Sequence, residues 1–133
     1  VGRRATCLRR RYGAIIVKDK IIISTGYNGA PRGEANCIDT GICERQRLHV
    51  PKGQNYELCV AVHAEQNAII NADPAAMENA TIYIVGINAD GTLASGKPCL
   101  LCRRMLNNAK LAKVVYYETD GSIVTCRPNE IRD

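Results

Sequence analysis

The sequence predicts an α/β domain, a single mixed sheet covered by helices. Three observations carry this reading. Two runs rich in β-branched residues, Ala14–Val17 and Ile21–Tyr27, are separated by a short polar break. Two stretches of helical character, one from Ala64 and one from Pro98, are separated by an alternating segment. No internal repeat, low-complexity tract or linker divides the 133 residues. The order β-β-α-β-α-β-β is that of one sheet, so residues 1–133 are read as one domain.

Each element has its own justification. Lys18-Asp19-Lys20 closes the first two strands into a hairpin. From Asn28 to about Glu57 the chain holds six glycines and prolines together with Cys37 and Cys43. That is too long for an ordinary connection, so it is read as a functional or metal-tied loop. Ala64–Ala72 forms a helix that stops before Asp73-Pro74. Thr81–Val85 alternates as a strand, and Gly86–Lys97 is read as a loop. Pro98 stands at the start of the second helix, where its fixed φ and missing N–H are tolerated, and that helix runs to about Ala109. Val114–Tyr117 and Ile123–Cys126 complete the sheet around an Asp120-Gly121 turn.

Composition narrows the function classes. Apolar runs such as Ala14–Val17 are far too short to span a membrane. No basic, apolar leader opens the chain, which argues against secretion. Seven cysteines is an odd number and fits poorly with a closed disulfide set. A Cys-x-x-Cys pair instead suggests metal in a reducing, cytoplasmic setting. The formal charge of +5 is concentrated in Arg3, Arg4, Arg9, Arg10 and Arg11, and in Arg103 and Arg104. Such runs read either as a solvated face or as attraction to phosphate. With no Phe or Trp and six Tyr, stacking platforms for single strands are sparse, so nucleic acid is a disfavoured partner.

The chemistry is carried by His63-x-Glu65 and, after thirty-two intervening residues, Pro98-Cys99-x-x-Cys102. Cysteines three apart lie near one helix face, and a helix start stabilises thiolate. Residues two apart in a helix interior point about 200° from each other. His63 and Glu65 therefore converge only if His63 sits at or before the first turn. His63, Cys99 and Cys102 would then hold Zn²⁺ with one position open, where zinc brings the pKa of water toward neutrality. Glu65 would be the proton-carrying carboxylate beside it, its pKa raised by a dry pocket. Taken together the spacing matches the zinc deaminase signature H-x-E…P-C-x-x-C.

The chain resembles the cytidine and deoxycytidylate deaminase superfamily, and within it the deoxycytidylate (dCMP) branch. The resemblance rests on Cys7–Val17 (CLRRRYGAIIV), Ser24–Gly33 (STGYNGAPRG), His63–Ile70 (HAEQNAII) and Pro98–Cys102 (PCLLC), spread over residues 6 to 118. It implies a three-layer α/β/α fold around a mixed five-stranded sheet, usually as homo-oligomers, of which the hexamer is the expected form. It also implies hydrolysis of dCMP to dUMP in supply of thymidylate synthesis. Asn28 matches the family asparagine that contacts the substrate sugar, and Arg11 stands near a phosphate-facing position. Gly29, Arg32 and Gly33 lie in the turn where relatives bind dCTP, with dTTP as a feedback effector. The resemblance also implies a helix before Cys7, expected to be absent or cut short in this sequence, and Gly86–Lys97 is longer than usual for the family.

Some relatives carry a second, structural zinc. Cys7, Cys37 and Cys59 fall at matching places, with Cys43 or else His49 as the fourth ligand. The alternative for these cysteines is apolar packing, which is also the reading for Cys126. Other deaminases of the superfamily, acting on cytidine, dCTP or adenosine, remain alternatives for the function. Outside the enzyme class the competitor is a zinc-stabilised nucleic-acid-binding module, which would have no need of Glu65.

Overall fold

The computed structural model describes residues 1–51 and 58–132. Residues 52–57, the end of the long loop expected from Asn28 to Glu57, and the terminal Asp133 lie outside the described residues. Six strands form one sheet. They are β1 (Arg10–Lys18), β2 (Ile21–Tyr27), β3 (Thr81–Asn88), β4 (Leu93–Ala94), β5 (Lys113–Tyr117) and β6 (Ile123–Cys126). The path is β2-β1-β3-β5-β6, with β3 and β5 parallel and the other neighbours antiparallel. These are the five expected strands. The sixth, β4, pairs with Gly86 and Ile87 of β3 beyond the point where β5 leaves it.

The β1–β2 hairpin turns through Asp19 and Lys20, both at positive φ (51° and 65°), as a tight two-residue connection requires. Gly86–Lys97 differs from its reading as a loop. Strand β3 runs on to Asn88 and turns back through Asp90 and Gly91, because the Asp90 carboxylate accepts from both the Thr92 backbone N–H and its hydroxyl. Gly91 takes φ 88° there. Such turn chemistry can close a hairpin whose second strand is too short to show alternation.

The helices are α1 (Cys37–Thr40), α2 (Glu44–Arg47), α3 (Ala64–Asn71), α4 (Pro74–Met77) and α5 (Leu100–Asn108). Asp73-Pro74 ends α3 as expected, but it also opens α4. Asp73 Oδ1 accepts from Ala75 N at 3.0 Å, and Pro74 occupies the first turn. Pro98 lies two residues before the first helical position, because Cys99 is the N-cap of α5 and Leu100 its first residue.

Strand alternation places Ala14, Ile16, Ile82, Ile84, Val114 and Tyr116 on one face, where they form the core with Ala64, Ala68, Met77 and Leu106. Helix α3 packs on this face across β1 and β2. It is locked down by polar contacts as well as by apolar ones. Ser24 Oγ, buried, donates to Ala68 O at 2.5 Å. Asn67 and Asn71, one turn apart, donate to the carbonyls of Tyr27 (2.8 Å) and Thr25 (3.0 Å) on edge strand β2. On the opposite face the Gly2–Arg4 turn touches β1, β2 and β3, while Tyr83, Tyr117 and Ile123 are exposed.

Candidate metal centre and active site

The site is assembled at two helix mouths. His63 is the N-cap of α3, in extended conformation (φ −70°, ψ 154°), so the backbone is not yet helical at the histidine. Glu65 then occupies the second position of the first turn. That is the arrangement the two-residue spacing demanded. Two devices hold it. Gln66 Oε1 accepts from His63 N at 2.9 Å, and Val62 makes a two-bond bridge with Gly29 (Gly29 N to Val62 O 3.1 Å, Val62 N to Gly29 O 2.7 Å).

Cys99 and Cys102 open α5 in the same manner, at its N-cap and third position. His63 Nδ1 lies 3.2 Å from Cys102 Sγ and 3.6 Å from Cys99 Sγ. Among the described residues these three form the one group of His, Cys, Asp or Glu whose ligand atoms all fall within 4.8 Å of one another. One imidazole and two thiols suit zinc, and leave a fourth position.

The three ligand groups share protons with one another. Cys99 is held down to about 4, first by its hydrogen bond with Cys102 and then by that with His63. Cys102 is pushed up because it keeps the proton that the pair shares. His63 is raised, chiefly by its hydrogen bond with the Cys99 sulfur. Glu65, 6% exposed, is raised by burial, against the pull of its backbone hydrogen bond, His63 and Cys102. His63→Ala leaves two sulfurs where a zinc site takes three or four ligands. Bound zinc is expected to fall by about one equivalent per chain, as read by atomic absorption after exhaustive dialysis.

His63, Glu65 and Cys99 line a cleft of about 750 Å³ together with Asn28, Tyr12 and Ser95, while Cys102 is fully buried. Four cations reach it, Arg9, Arg10, Arg45 and Lys97, and Glu65 is the sole acid among its described lining residues. Arg11, expected to face phosphate, does not line the cleft. Arg10 and Tyr12 share the core face of β1 with Ala14, so the period of two turns Arg11 to the other side. Asn28 does line it, and its side chain also clips the backbone. Its Oδ1 accepts from Tyr12 N at 2.8 Å and its Nδ2 donates to Arg10 O at 3.1 Å. Gly29, Arg32 and Gly33 lie outside the cleft. Gly29 packs under Val62, and Arg32 donates to Asn71 Oδ1 at 3.3 Å.

Sequence reasoning missed Arg10, Arg45, Ser95 and Lys97. The signal for Arg10 was the alternation of β1 traced back from Ala14. None was available for Arg45, whose four-residue helix α2 is too short to show a period. Cys7, Cys43 and Cys59 line the cleft too. Cys37 is raised by burial first, then by Cys7, Cys59 and Cys43, so the four share a neighbourhood. Their sulfurs are not drawn into one group at ligand spacing. His49 is exposed at φ 57° and joins no such group either.

A mixed sheet carrying a histidine and two cysteines at paired helix mouths, with a buried carboxylate beside them, defines a metal-dependent hydrolytic site. Residues 1–118 match the cytidine and deoxycytidylate deaminase zinc-binding region, and the chain belongs to that family. It is 35% identical over 120 residues to the deoxycytidylate deaminase of Mycobacterium phage D29, covering 86% of this chain and 84% of that protein. It is 33% identical over 117 residues to the deoxycytidylate deaminase of Schizosaccharomyces pombe, covering 87% of this chain and a third (33%) of that protein. The crystal structure of dCMP deaminase from the cyanophage S-TIM5 in complex with dCMP and dUMP is similar in fold. Its TM-score is 0.52 at 27% identity, over 84% of this chain and 71% of that one. Among the described residues no helix is long and apolar enough to cross a membrane.

Proposed function

We propose that this chain catalyses the zinc-dependent hydrolytic deamination of dCMP to dUMP. The observation that carries the reading is the buried Glu65 beside the His63, Cys99 and Cys102 group, in a cleft rimmed by four cations. The relatives named above support the substrate. A zinc ion held by His63 Nδ1 and the two sulfurs would supply a water that loses its proton near neutrality. Glu65 takes that proton and delivers it to the ring nitrogen beside C4. It then takes the proton of the hydroxyl added at C4 and delivers it to the amine, which departs as ammonia while C4 becomes a carbonyl. Its burial suits it to both directions, since a raised pKa lets one carboxyl accept and return a proton near pH 7. The cationic rim favours a substrate bearing phosphate over a free nucleoside. Asn28, fixed at the end of β2, faces the same cleft and is assigned to the sugar.

The test is an ammonia-release screen over cytosine, deoxycytidine, dCMP, dCTP and adenine nucleotides. Turnover of dCMP above all others is expected, and equal turnover of deoxycytidine would overturn the nucleotide reading. In the same screen Arg10→Gln should raise KM for dCMP about 10-fold, the loss of one charge-assisted phosphate contact, and leave deoxycytidine unaffected.

Several coarser features of the reading go with it. Residues 1–133 act as one deaminase domain, supported by a sheet continuous from Arg10 to Cys126. The setting is the cytoplasm, supported by seven free cysteines. The active form is a homo-oligomer, with a hexamer as the specific reading, supported by exposed Ile21, Ile22 and Ile123 on the two edge strands. The Gly29–Gly33 turn, tied to α3 through Arg32 and Asn71, takes dCTP and dTTP as effectors. Cys7, Cys37, Cys43 and Cys59 close on a second, structural zinc, supported by the effect of the other three thiols on Cys37. Two zinc per chain falling to one in Cys37→Ser is the expected result, and one in both would remove the second site.

A further inference from the structure

Ser95 lines the catalytic cleft, and the chemistry above leaves its hydroxyl unused. It belongs to a short crossing, Ser95-Gly96-Lys97, that leads from β4 to the mouth of α5. The crossing lies where the parallel pairing of β3 and β5 ends, at Ile84 and Tyr116. Open α/β sheets take their ligands beyond the carboxyl ends of such strands. Gly96 makes the close approach. Its N donates to Tyr117 O at 2.9 Å, and a Cβ on it would lie 2.8 Å from Ile84 O and 3.1 Å from Tyr116 Cβ. The crossing is therefore seated directly on the two strands, and its geometry is that of the sheet.

A second tie comes from Glu118, the first residue after β5. Its backbone is held in the β5–β6 turn, Glu118 N to Ser122 O at 2.9 Å and Gly121 N to Glu118 O at 3.0 Å. Ser95 Oγ donates to Glu118 Oε1 at 2.9 Å. A carboxylate only accepts, so the direction of this bond is fixed and the Ser95 proton points at Glu118. The same oxygen accepts from Lys97 N at 3.3 Å, closing a serine turn over Gly96. A hydroxyl has one proton and two lone pairs. With the proton and one lone pair engaged, half-buried Ser95 keeps one lone pair for a ligand. Glu118 takes part in no ion pair among the described residues, so no cation there competes for its carboxylate.

We propose that Ser95 is a specificity-determining residue, an acceptor-only hydroxyl that reads a hydrogen-bond donor of the substrate, and that Glu118 is the positioning residue that makes it so. A free serine hydroxyl rotates and meets donors and acceptors alike. Held by Glu118, this one accepts from an N–H or O–H and turns a lone pair against any carbonyl oxygen. The carboxylate also polarises the hydroxyl, which strengthens it as an acceptor. A deoxycytidine monophosphate offers such donors at its ring amine and at its sugar 3′-hydroxyl. Where the amine is the partner, the same wall disfavours the product, which carries a carbonyl in its place. The inference rests on the proposed nucleotide substrate and names a contact within that site.

The experiment compares zinc-loaded wild type with Ser95→Ala, Ser95→Thr, Glu118→Ala and Glu118→Gln. KM and kcat are measured for dCMP and for its 2′,3′-dideoxy analogue, and dUMP is titrated calorimetrically into the same preparations. Ser95→Ala is expected to raise KM for dCMP about 5-fold with kcat, zinc content and Tm little changed, the signature of a lost binding contact. Glu118→Ala should raise it less, about 3-fold, since the freed hydroxyl can still turn to accept. Ser95→Thr keeps the hydroxyl and Glu118→Gln keeps an acceptor oxygen, so both should stay close to wild type. The three ligands identify the donor. Losses for dCMP and the analogue with dUMP spared mark the ring amine, and losses for dCMP and dUMP with the analogue spared mark the sugar hydroxyl; both support the proposal. An unchanged KM in Ser95→Ala would overturn it, and so would equal losses for all three ligands, which a deformed wall produces. An effect in Ser95→Ala with none in Glu118→Ala would remove the role given to Glu118. Absence of dCMP turnover in the wild type would sink the catalytic reading, and calorimetric titration of dCMP into the same variants would then decide the contact.

Discussion

Glu65→Gln is expected to lower kcat for deamination by about 10³-fold while leaving zinc content unchanged. Glutamine has the shape of glutamate, and burial already holds Glu65 toward its neutral form, so the substitution leaves the packing of α3 intact. What it removes is the ability to accept and return a proton. Zinc should stay because the Glu65 carboxylate is not one of the three ligand groups. Ammonia release and metal analysis on the same preparation check both halves. Full turnover in Glu65→Gln would refute the mechanism, and loss of zinc would mean that Glu65 is itself a ligand.

The second large effect is on the scaffold. Gly26→Ala is expected to destabilise the protein by about 3 kcal/mol or more. A Cβ there would sit 2.3 Å from Ala64 O and 2.4 Å from Ala68 N, both backbone atoms of α3. No side-chain rotation relieves such contacts, so the helix must lift from β2. His63 and Glu65 ride on that helix, and zinc affinity should fall together with a drop in Tm on the order of 10 °C. Gly121→Ala serves as the control. It has φ 85° but open space around it, so backbone strain of about 1 kcal/mol is its whole expected effect. Equal losses at the two positions would show that the close approach of helix to sheet is not what Gly26 provides.

Where the sequence was informative, a physical constraint operated within a short stretch. The His63 and Glu65 spacing admits one helix register, and the structure adopts it. The β1–β2 hairpin and the limits of α3 likewise followed from β-branched runs and from Asp73-Pro74. The elements β4, α1, α2 and α4 are too short for any period to show, whereas the four-residue β6 is marked by the Asp120-Gly121 turn before it. Arg10 could have been found by alternation, but three consecutive arginines carry no apolar contrast, and Arg11 was taken instead. The contact of Gly26 with Ala64 and Ala68 depends on tertiary approach between segments nearly forty residues apart. Small residues carry no local sign of such a meeting.

The two helix mouths have a consequence for folding kinetics. His63 begins α3, Cys99 and Cys102 begin α5, and the whole of β3 and β4 lies between them in the chain. No short peptide contains the full ligand set, unlike a zinc finger, in which metal organises one local segment. Here the ends of a long loop must close, and β3 must pair with β1, before three ligands meet. Metal capture is therefore expected after β3 has paired with β1, rather than as the event that starts folding.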